Sequence, residues 1–378
     1  MNYIRRKIIL ITLRSDIGGG PYHIDLLLKN LVTNFDFYIA SPLNDPYGFQ
    51  WQQLVGKNNF FEMPFRSFKI NKFIKLIYFV KSNSINIVHS HGKGAGLYSR
   101  LLKIFIPGIK VVHTFHGIHI QQYNSVQSKF YIYFERLMNF LTDQLINVSI
   151  GEQKICQSYK LFNKKKSRII YNGIHPVAHP SKSKTELRHS LSLPKDKFLI
   201  ISILRFNYQK NLPLIINLAD RLKENMRFYF LIIGDGEQRE EVESVILQKK
   251  LSNINLLGFK KNVTEYLFAS DIFLSTSLWE GLPYSLIEAT ACGLPIIASD
   301  VTGNNEVVSE NENGFLFPLN DPDLAVKKIL QLESSIDLQK IMSKHSLKIF
   351  ENKFQIKTMI EKNMDTYIKL SNSLKESL

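Results

Sequence analysis

The chain is 378 residues long, room for two domains at about 150 residues each. It is 44% apolar and 21% charged, which excludes disordered and collagen-like classes. Its two cysteines, Cys156 and Cys292, stand far apart without metal-ligand spacing, which excludes a disulfide scaffold and argues against structural zinc. The net charge of +15 is confined to the first part: residues 1–176 carry 23 Lys and Arg against 8 Asp and Glu, and residues 177–378 carry 25 of each. An excess of one sign attracts an anionic partner, whether nucleic acid, bilayer or substrate.

In chain order, Arg5-Arg6-Lys7 leads into Ile8–Leu13, an apolar run too short for a signal-peptide core or a membrane span. A cytoplasmic protein is expected. Short strand-like runs then alternate with helix-length segments. Strands are expected at 7–13, 37–40, 85–89, 110–114, 144–148 and 168–171, and again at 198–204, 227–234, 254–257, 272–275, 295–298 and 314–317. Helices are expected among them at 22–31, 126–141, 212–223, 237–250 and 284–292. Runs such as Leu199-Ile200-Ile201-Ser202-Ile203-Leu204 are apolar on both faces, as a parallel sheet covered by helices requires. Strict alternation gives an α/β architecture, and its restart near residue 198 gives two doubly wound, Rossmann-like domains. Pro176, Pro180 and Pro194 punctuate the connector. The expected division is 1–176 and 177–352, with a terminal helix at about 353–378 packing back on the first domain.

Neither familiar phosphate loop is present. Gly234-Asp-Gly236-Glu-Gln-Arg239 has arginine where a dinucleotide fingerprint needs its third glycine, Gly18-Gly-Gly-Pro-Tyr-His23 fails as well, and no GxxxxGK[ST] occurs. Ligands of open α/β sheets bind beyond the carboxyl ends of the strands, where three features stand out. Gly18, Gly19 and Gly20 follow the first strand and precede a helix, so backbone lacking Cβ can approach a diphosphate at a helix N-terminus. Arg205 and Lys210 follow the first strand of the second domain; a guanidinium fork and an ammonium both suit phosphate. In Trp279-Glu280-Gly281-Leu282-Pro283-Tyr284-Ser285-Leu286-Ile287-Glu288-Ala289, Pro283 suits a first helical turn. The first-turn N–H groups of Tyr284, Ser285 and Leu286 would then face an anion, with Glu288 about one and a half turns into the helix. Ser285-x-x-Glu288 also matches a capping box, in which Glu288 only satisfies backbone donors.

Together these features resemble the retaining glycosyltransferase family 4, whose GT-B fold sets two Rossmann-like domains with parallel sheets facing across an interdomain cleft. The resemblance spans nearly the whole chain. Its most specific element is Glu-x7-Glu, here Glu280 to Glu288, flanked by Ala269-Ser-Asp271-Ile-Phe273, Ala291-Cys-Gly-Leu-Pro295 and Asn313-Gly-Phe-Leu-Phe-Pro318. The resemblance implies that Arg205 and Lys210 grip the donor diphosphate, that Glu280 contacts the donor sugar and that Glu288 holds the ribose hydroxyls. It implies donor contacts at Gly18, Gly19, Gly281, Leu282, Tyr284, Ser285 and Leu286, and a base near Gly258, Phe259 and Val263. It places His116, in Val112-His113-Thr-Phe-His116-Gly117, beside the transferred sugar, and His91 and His113 on the acceptor side. The expected catalytic set is His116, Glu280, Arg205 and Lys210. Pro21-Tyr22 departs from the usual Ala-Glu after the first glycines.

Such enzymes transfer a sugar from a nucleotide sugar to an oligosaccharide or lipid-diphosphate-linked acceptor with retention, as in bacterial capsule or lipopolysaccharide assembly. They need no metal or other cofactor, because cations and helix dipoles neutralise the leaving diphosphate. His89, His91 and His116 offer imidazoles, yet no carboxylate nearby completes a hard-metal set. In the basic first domain, Phe65, Phe68, Phe73, Ile74 and Ile77 interleave with Arg66, Lys69, Lys72 and Lys75. This reads either as an interfacial helix on an anionic membrane or as a helix packed on the sheet with a solvated basic edge. Phe130–Phe140 is a second aromatic segment of this kind. The alternatives are a nucleic-acid-binding protein, read from Lys164-Lys165-Lys166-Ser-Arg168 but lacking any recognition module, and a sugar-nucleotide epimerase, which would lack the Glu280–Glu288 pair.

Overall fold

The computed structural model describes residues 6–118, 120 and 123–375; Arg5 and residues 376–378 of the expected terminal helix lie outside them. The chain divides into Met1–Asn172 with Lys357–Leu378, and Gly173–Ile356. The first unit runs β1 Lys7–Thr12, α1 Gly19–Leu31, β2 Asp36–Ser41, α2 Tyr47–Val55, β3 Phe60–Glu62, α3 Ile70–Ser82, β4 Ile87–His91, α4 Lys93–Phe105, β5 Lys110–Thr114, α5 Ser125–Met138, β6 Gln144–Asn147, α6 Ile150–Ser158 and β7 Ser167–Ile169. The second runs α7 Lys184–Ser190, β8 Phe198–Ile203, α8 Leu212–Arg221, β9 Phe228–Ile233, α9 Arg239–Gln248, β10 Ile254–Gly258, α10 Thr264–Ala269, β11 Ile272–Ser275, α11 Tyr284–Ala291, β12 Ile296–Ser299, α12 Asn304–Val307, β13 Gly314–Phe317, α13 Pro322–Glu333 and α14 Ile336–Lys353. The last helix, α15 Ile356–Lys375, returns to the first unit.

Each unit holds one parallel sheet, ordered β3-β2-β1-β4-β5-β6-β7 and β10-β9-β8-β11-β12-β13. The central strands are buried on both faces: Ile8, Ile9, Leu10 and Ile11 of β1, and Leu199, Ile200 and Ile201 of β8, are fully covered. In each sheet the strand order reverses beside the first strand, between β1 and β4 and between β8 and β11. Such a switch point splays the connections to opposite faces and leaves a crevice beyond the carboxyl ends. The glycines after β1, and the segments bearing Arg205, Lys210 and Glu280 after β8 and β11, sit on or beside these crevices.

The structure adds to the sequence reading at three points. The strand β3 has only three residues, and so short an edge carries no periodicity to find. The boundary lies at Asn172/Gly173 rather than 176/177, so Pro176, Pro180 and Pro194 belong to the second unit. The chain enters and leaves that unit side by side, with Ile174 bridged to Gln355; a Cβ on Gly173 would sit 2.7 Å from the Gln355 carbonyl oxygen. In the basic segment, Phe73 is core rather than surface, 3% exposed among Leu76, Val80 and Tyr98.

Candidate active site

In the second unit, a strap of two glycines builds the first wall of the site. Gly234 and Gly236 pass so close to the chain after β8 that added Cβ atoms would lie 1.8 Å from the Leu204 carbonyl oxygen and 2.4 Å from that of Phe206. The apparent dinucleotide fingerprint is therefore a packing device. It pins the loop bearing Arg205 and Lys210, through Phe206 N–H to the Asp235 carbonyl (2.9 Å) and Gln238 N–H to the Phe206 carbonyl (3.1 Å).

The loop after β11 is stitched to that loop. Leu278 N–H donates to the Gln209 carbonyl (2.8 Å), Gln209 Nε2 to the Trp279 carbonyl (2.8 Å) and Thr276 Oγ1 to the Lys210 carbonyl (2.9 Å). At the junction, Lys210 Nζ forms an ion pair with Glu280 Oε1, which also accepts from Ser277 Oγ at 2.7 Å. Glu280 is buried. An ammonium has three donors, so Lys210 has two beyond its contact with Glu280. The loop after β12 presses on Glu280 and Gly281: Gly303 (φ 90°) leaves no room for a Cβ, 2.7 Å from the Gly281 carbonyl oxygen.

Pro283 is the extended residue before α11 rather than part of its first turn, and no side chain caps the helix. The Ser285-x-x-Glu288 capping box does not form. The first-turn amides of Ser285 and Leu286 point back toward the loop, and Ser285, Ser277 and Lys210 line one small pocket. Cation, hydroxyls and helix N-terminus thus converge, an arrangement that favours an anion. The half-buried Glu288, on the fifth residue of α11, has no hydrogen bond to its carboxylate among the described residues, and desolvation lifts its pKa to about 7. Arg205 is half-buried beyond β8. Gly258 (φ 68°) ends β10, followed by the exposed ring of Phe259, with Val263 before α10.

In the first unit Gly18 precedes α1, and Gly19 and Gly20 already lie in its first turn rather than ahead of the helix. A residue the sequence reading missed lies over them: Arg14, clamped to Asp16 (2.7 and 3.0 Å), has its guanidinium 3.1 Å from where a Gly18 Cβ would stand. Across the switch point, His23 of α1, His91 at the end of β4 and His116 after β5 face one another. His91 Nδ1 and His116 Nε2 are 3.0 Å apart, and His23 Nδ1 bonds Asn172 Oδ1 at 3.1 Å. Burial depresses all three, His23 to about 4, so the rings are neutral near pH 7.

His116 adopts a left-handed backbone (φ 59°), which a non-glycine residue holds only when its surroundings impose it. The next amide, that of Gly117, is held by Glu152, also missed from sequence. This buried carboxylate accepts from Gly117 N–H at 2.5 Å and Val148 N–H at 2.8 Å. His113 does not join the cluster. It projects to the other face of β5, bonds Ser90 Oγ (2.9 Å), is fully covered and lies against Gly96 of α4. Period-two alternation along β5 turns it to the face opposite Thr114. His89 is also committed, between Tyr367 of α15 (2.7 Å) and Thr114 (2.9 Å). The run Lys164–Lys166 is a single 3-10 turn whose Lys166 bonds the Asn139 and Thr142 carbonyls, which adds nothing to a nucleic-acid reading.

Residues 17–177 match the family described as Glycosyltransferase Family 4, and residues 183–348 the Glycosyl transferases group 1. The chain is 30% identical over 306 residues to UDP-Gal:alpha-D-GlcNAc-diphosphoundecaprenol alpha-1,3-galactosyltransferase of Escherichia coli, covering 78% of each chain. Its fold is that of a glycosyltransferase from Rickettsia africae ESF-5 (TM-score 0.81, 20% identity, 97% of this chain and 99% of that one). It is likewise that of Anabaena HepE in complex with UDP and glucose (TM-score 0.84, 16% identity, 96% and 100%). With Glu280 and Glu288 set around the start of α11 in a parallel α/β sheet, and with matches running through both units, the chain belongs to the family 4 glycosyltransferases.

Proposed function

We propose that this glycosyltransferase moves a sugar from a nucleoside-diphosphate sugar to a hydroxyl of a lipid-diphosphate-linked glycan, with retention, in bacterial surface-polysaccharide assembly. The observation that carries the reading is the junction of Lys210, Glu280 and Ser277 with the N-terminus of α11. Lys210, Arg205 and the α11 amides stabilise the charge that develops on the leaving diphosphate, where preorganised donors count most. Glu280 accepts from the sugar hydroxyls and Glu288 from the ribose. We assign no side chain among the described residues as a covalent nucleophile. The C1–O bond to phosphate therefore breaks as the acceptor oxygen bonds C1 on the same face, and the acceptor proton passes to the leaving phosphate. His116 attends the transferred sugar, and His91 the acceptor side. The chemistry calls on no divalent cation, so activity should survive chelator. The E. coli relative's name supports a diphosphoundecaprenol acceptor.

No described helix is long and apolar enough to cross a membrane. Attachment to the anionic inner face of the membrane is supported instead by α5 and the turn Asn139–Leu141 that follows it. Val126, Phe130, Tyr133, Leu137 and Phe140 are 44–77% exposed at spacings of three and four, beside the exposed Lys129 and Arg136. Its carboxylate Glu135 is turned inward to Arg100. An apolar stripe with cationic flanks suits an anionic interface. The exposed Phe65, Phe68, Ile70 and Ile74 extend the same chemistry around α3.

A thermal-shift panel of nucleoside diphosphates followed by transfer to a diphosphoundecaprenol-linked glycan tests the reading. One diphosphate should stabilise the protein, and Lys210→Ala should lower kcat about 10²–10³-fold. An inverted product, or a Lys210→Ala enzyme of wild-type rate, refutes the mechanism. Flotation with anionic liposomes at low salt tests the membrane contact, and its absence there rejects it.

A further inference from the structure

His23, His91 and His116 come from three elements, yet one ring nitrogen of each lies within 4.8 Å of one on each of the others. His23 takes the place the sequence reading gave to His89. We propose that these three imidazoles form a binding site for a borderline transition-metal dication such as Zn2+, and that metal held there inhibits sugar transfer by engaging His116. The inhibitory half rests on the placement of His116 at the transferred sugar argued above.

The donor set decides the metal. Three imidazoles without a carboxylate suit zinc, copper or nickel and offer nothing to magnesium or calcium. A tetrahedral ion sits about 2.0–2.1 Å from each nitrogen. The 3.0 Å between His91 and His116 is already shorter than that geometry needs, and His23 has on the order of an ångström to close. The outer shell is partly in place: Asn172 Oδ1 accepts from His23 Nδ1–H (3.1 Å), which leaves Nε2 with its lone pair, the arrangement that orients a metal-binding imidazole. His91 is 4% exposed, so packing fixes its ring in place at the cluster. Burial keeps all three rings neutral, the form that binds metal. The fourth position takes water or hydroxide, as three-histidine sites do. Binding needs no net proton release from the protein. The hydrogen shared by His91 and His116 moves to an outer ring nitrogen.

The test uses chelator-stripped full-length protein titrated with Co2+, followed by Zn2+ in competition. One Co2+ per chain should bind with the intense visible absorption of a four-coordinate site and be displaced by one Zn2+. His23→Gln and His91→Gln should each weaken binding at least tenfold, while His113→Gln, on the other face of β5, binds as wild type. Should a variant not fold, imidazole nitrogen NMR of the wild-type protein replaces it, and Zn2+ should shift three histidines. Binding that none of the substitutions alters, or a six-coordinate spectrum, overturns the site and leaves an adventitious ion only. Zn2+ should also lower the transfer rate in step with occupancy and reversibly with chelator; occupancy without loss of rate overturns the inhibition. Metal-free protein without transferase activity would overturn the functional reading instead, and the Co2+ titration would stand apart from it.

Discussion

The position of Glu288 makes donor binding depend on pH in a calculable way. Desolvation lifts this carboxyl to about 7, while its proposed task is to accept hydrogen bonds from two ribose hydroxyls, which only the carboxylate does fully. If the ionised form alone binds, the fraction competent rises from about 9% at pH 6 to about 91% at pH 8. Affinity for the nucleoside diphosphate should therefore tighten about tenfold, or about 1.4 kcal/mol. The phosphates titrate in the same range, so the informative quantity is the ratio of wild type to Glu288→Gln, which removes this ionisation alone. Isothermal titration calorimetry of both proteins at pH 6, 7 and 8 measures it. The wild-type advantage should grow with pH. A ratio that stays constant across the range refutes the assignment of Glu288 to the ribose.

Glu152→Gln sets an amide N–H2 against the Gly117 or Val148 N–H and should cost about 1–3 kcal/mol; by loosening His116 it should lower kcat with little change in KM, which steady-state kinetics on the folded variant will show. Arg188, on the buried face of α7, donates to the Ala269, Lys195 and Lys197 carbonyls and to Asp271. Arg188→Ala strands that network and should cost about 3–5 kcal/mol in urea unfolding of the second unit. The first unit should weaken in acid. His23 is depressed from 6.5 to about 4, so its contribution is full above pH 6.5 and lost as pH falls toward 4, at about 1.4 kcal/mol by pH 5.5. Denaturation at pH 7.5 and 5.5 should show that loss, and His23→Asn should reduce it.

The lines of the candidate site were legible where chemistry lies in consecutive residues. The Glu280–Glu288 segment could be read because helix start, acid spacing and strand end are local properties, and the glycines after β1 because their position follows a strand. His23, Arg14, Asn172 and Glu152 escaped because nothing local marks them. His23 lies on a helix face that periodicity assigns to the core, and Glu152 resembles any acid in a first helical turn. His113 was grouped with its neighbour His116, which carried the signal, but alternation along β5 turns it away from the cluster. Asp271, part of a recognised motif, proves to be a structural clamp on Arg188 and Lys184.

The sequence by itself determined two parallel α/β units and the strand ends at which function gathers, because apolar periodicity and turn chemistry act over a few residues. Which strand ends lie together was decided only by tertiary structure. Sheet order brings β8 beside β11, so Lys210 meets Glu280 across 70 positions. It also brings β1 beside β4 and returns α15 to the first sheet, so Tyr367 holds His89 across 278. Such pairings arise where crossover connections reverse, and no local pattern encodes the distance they span.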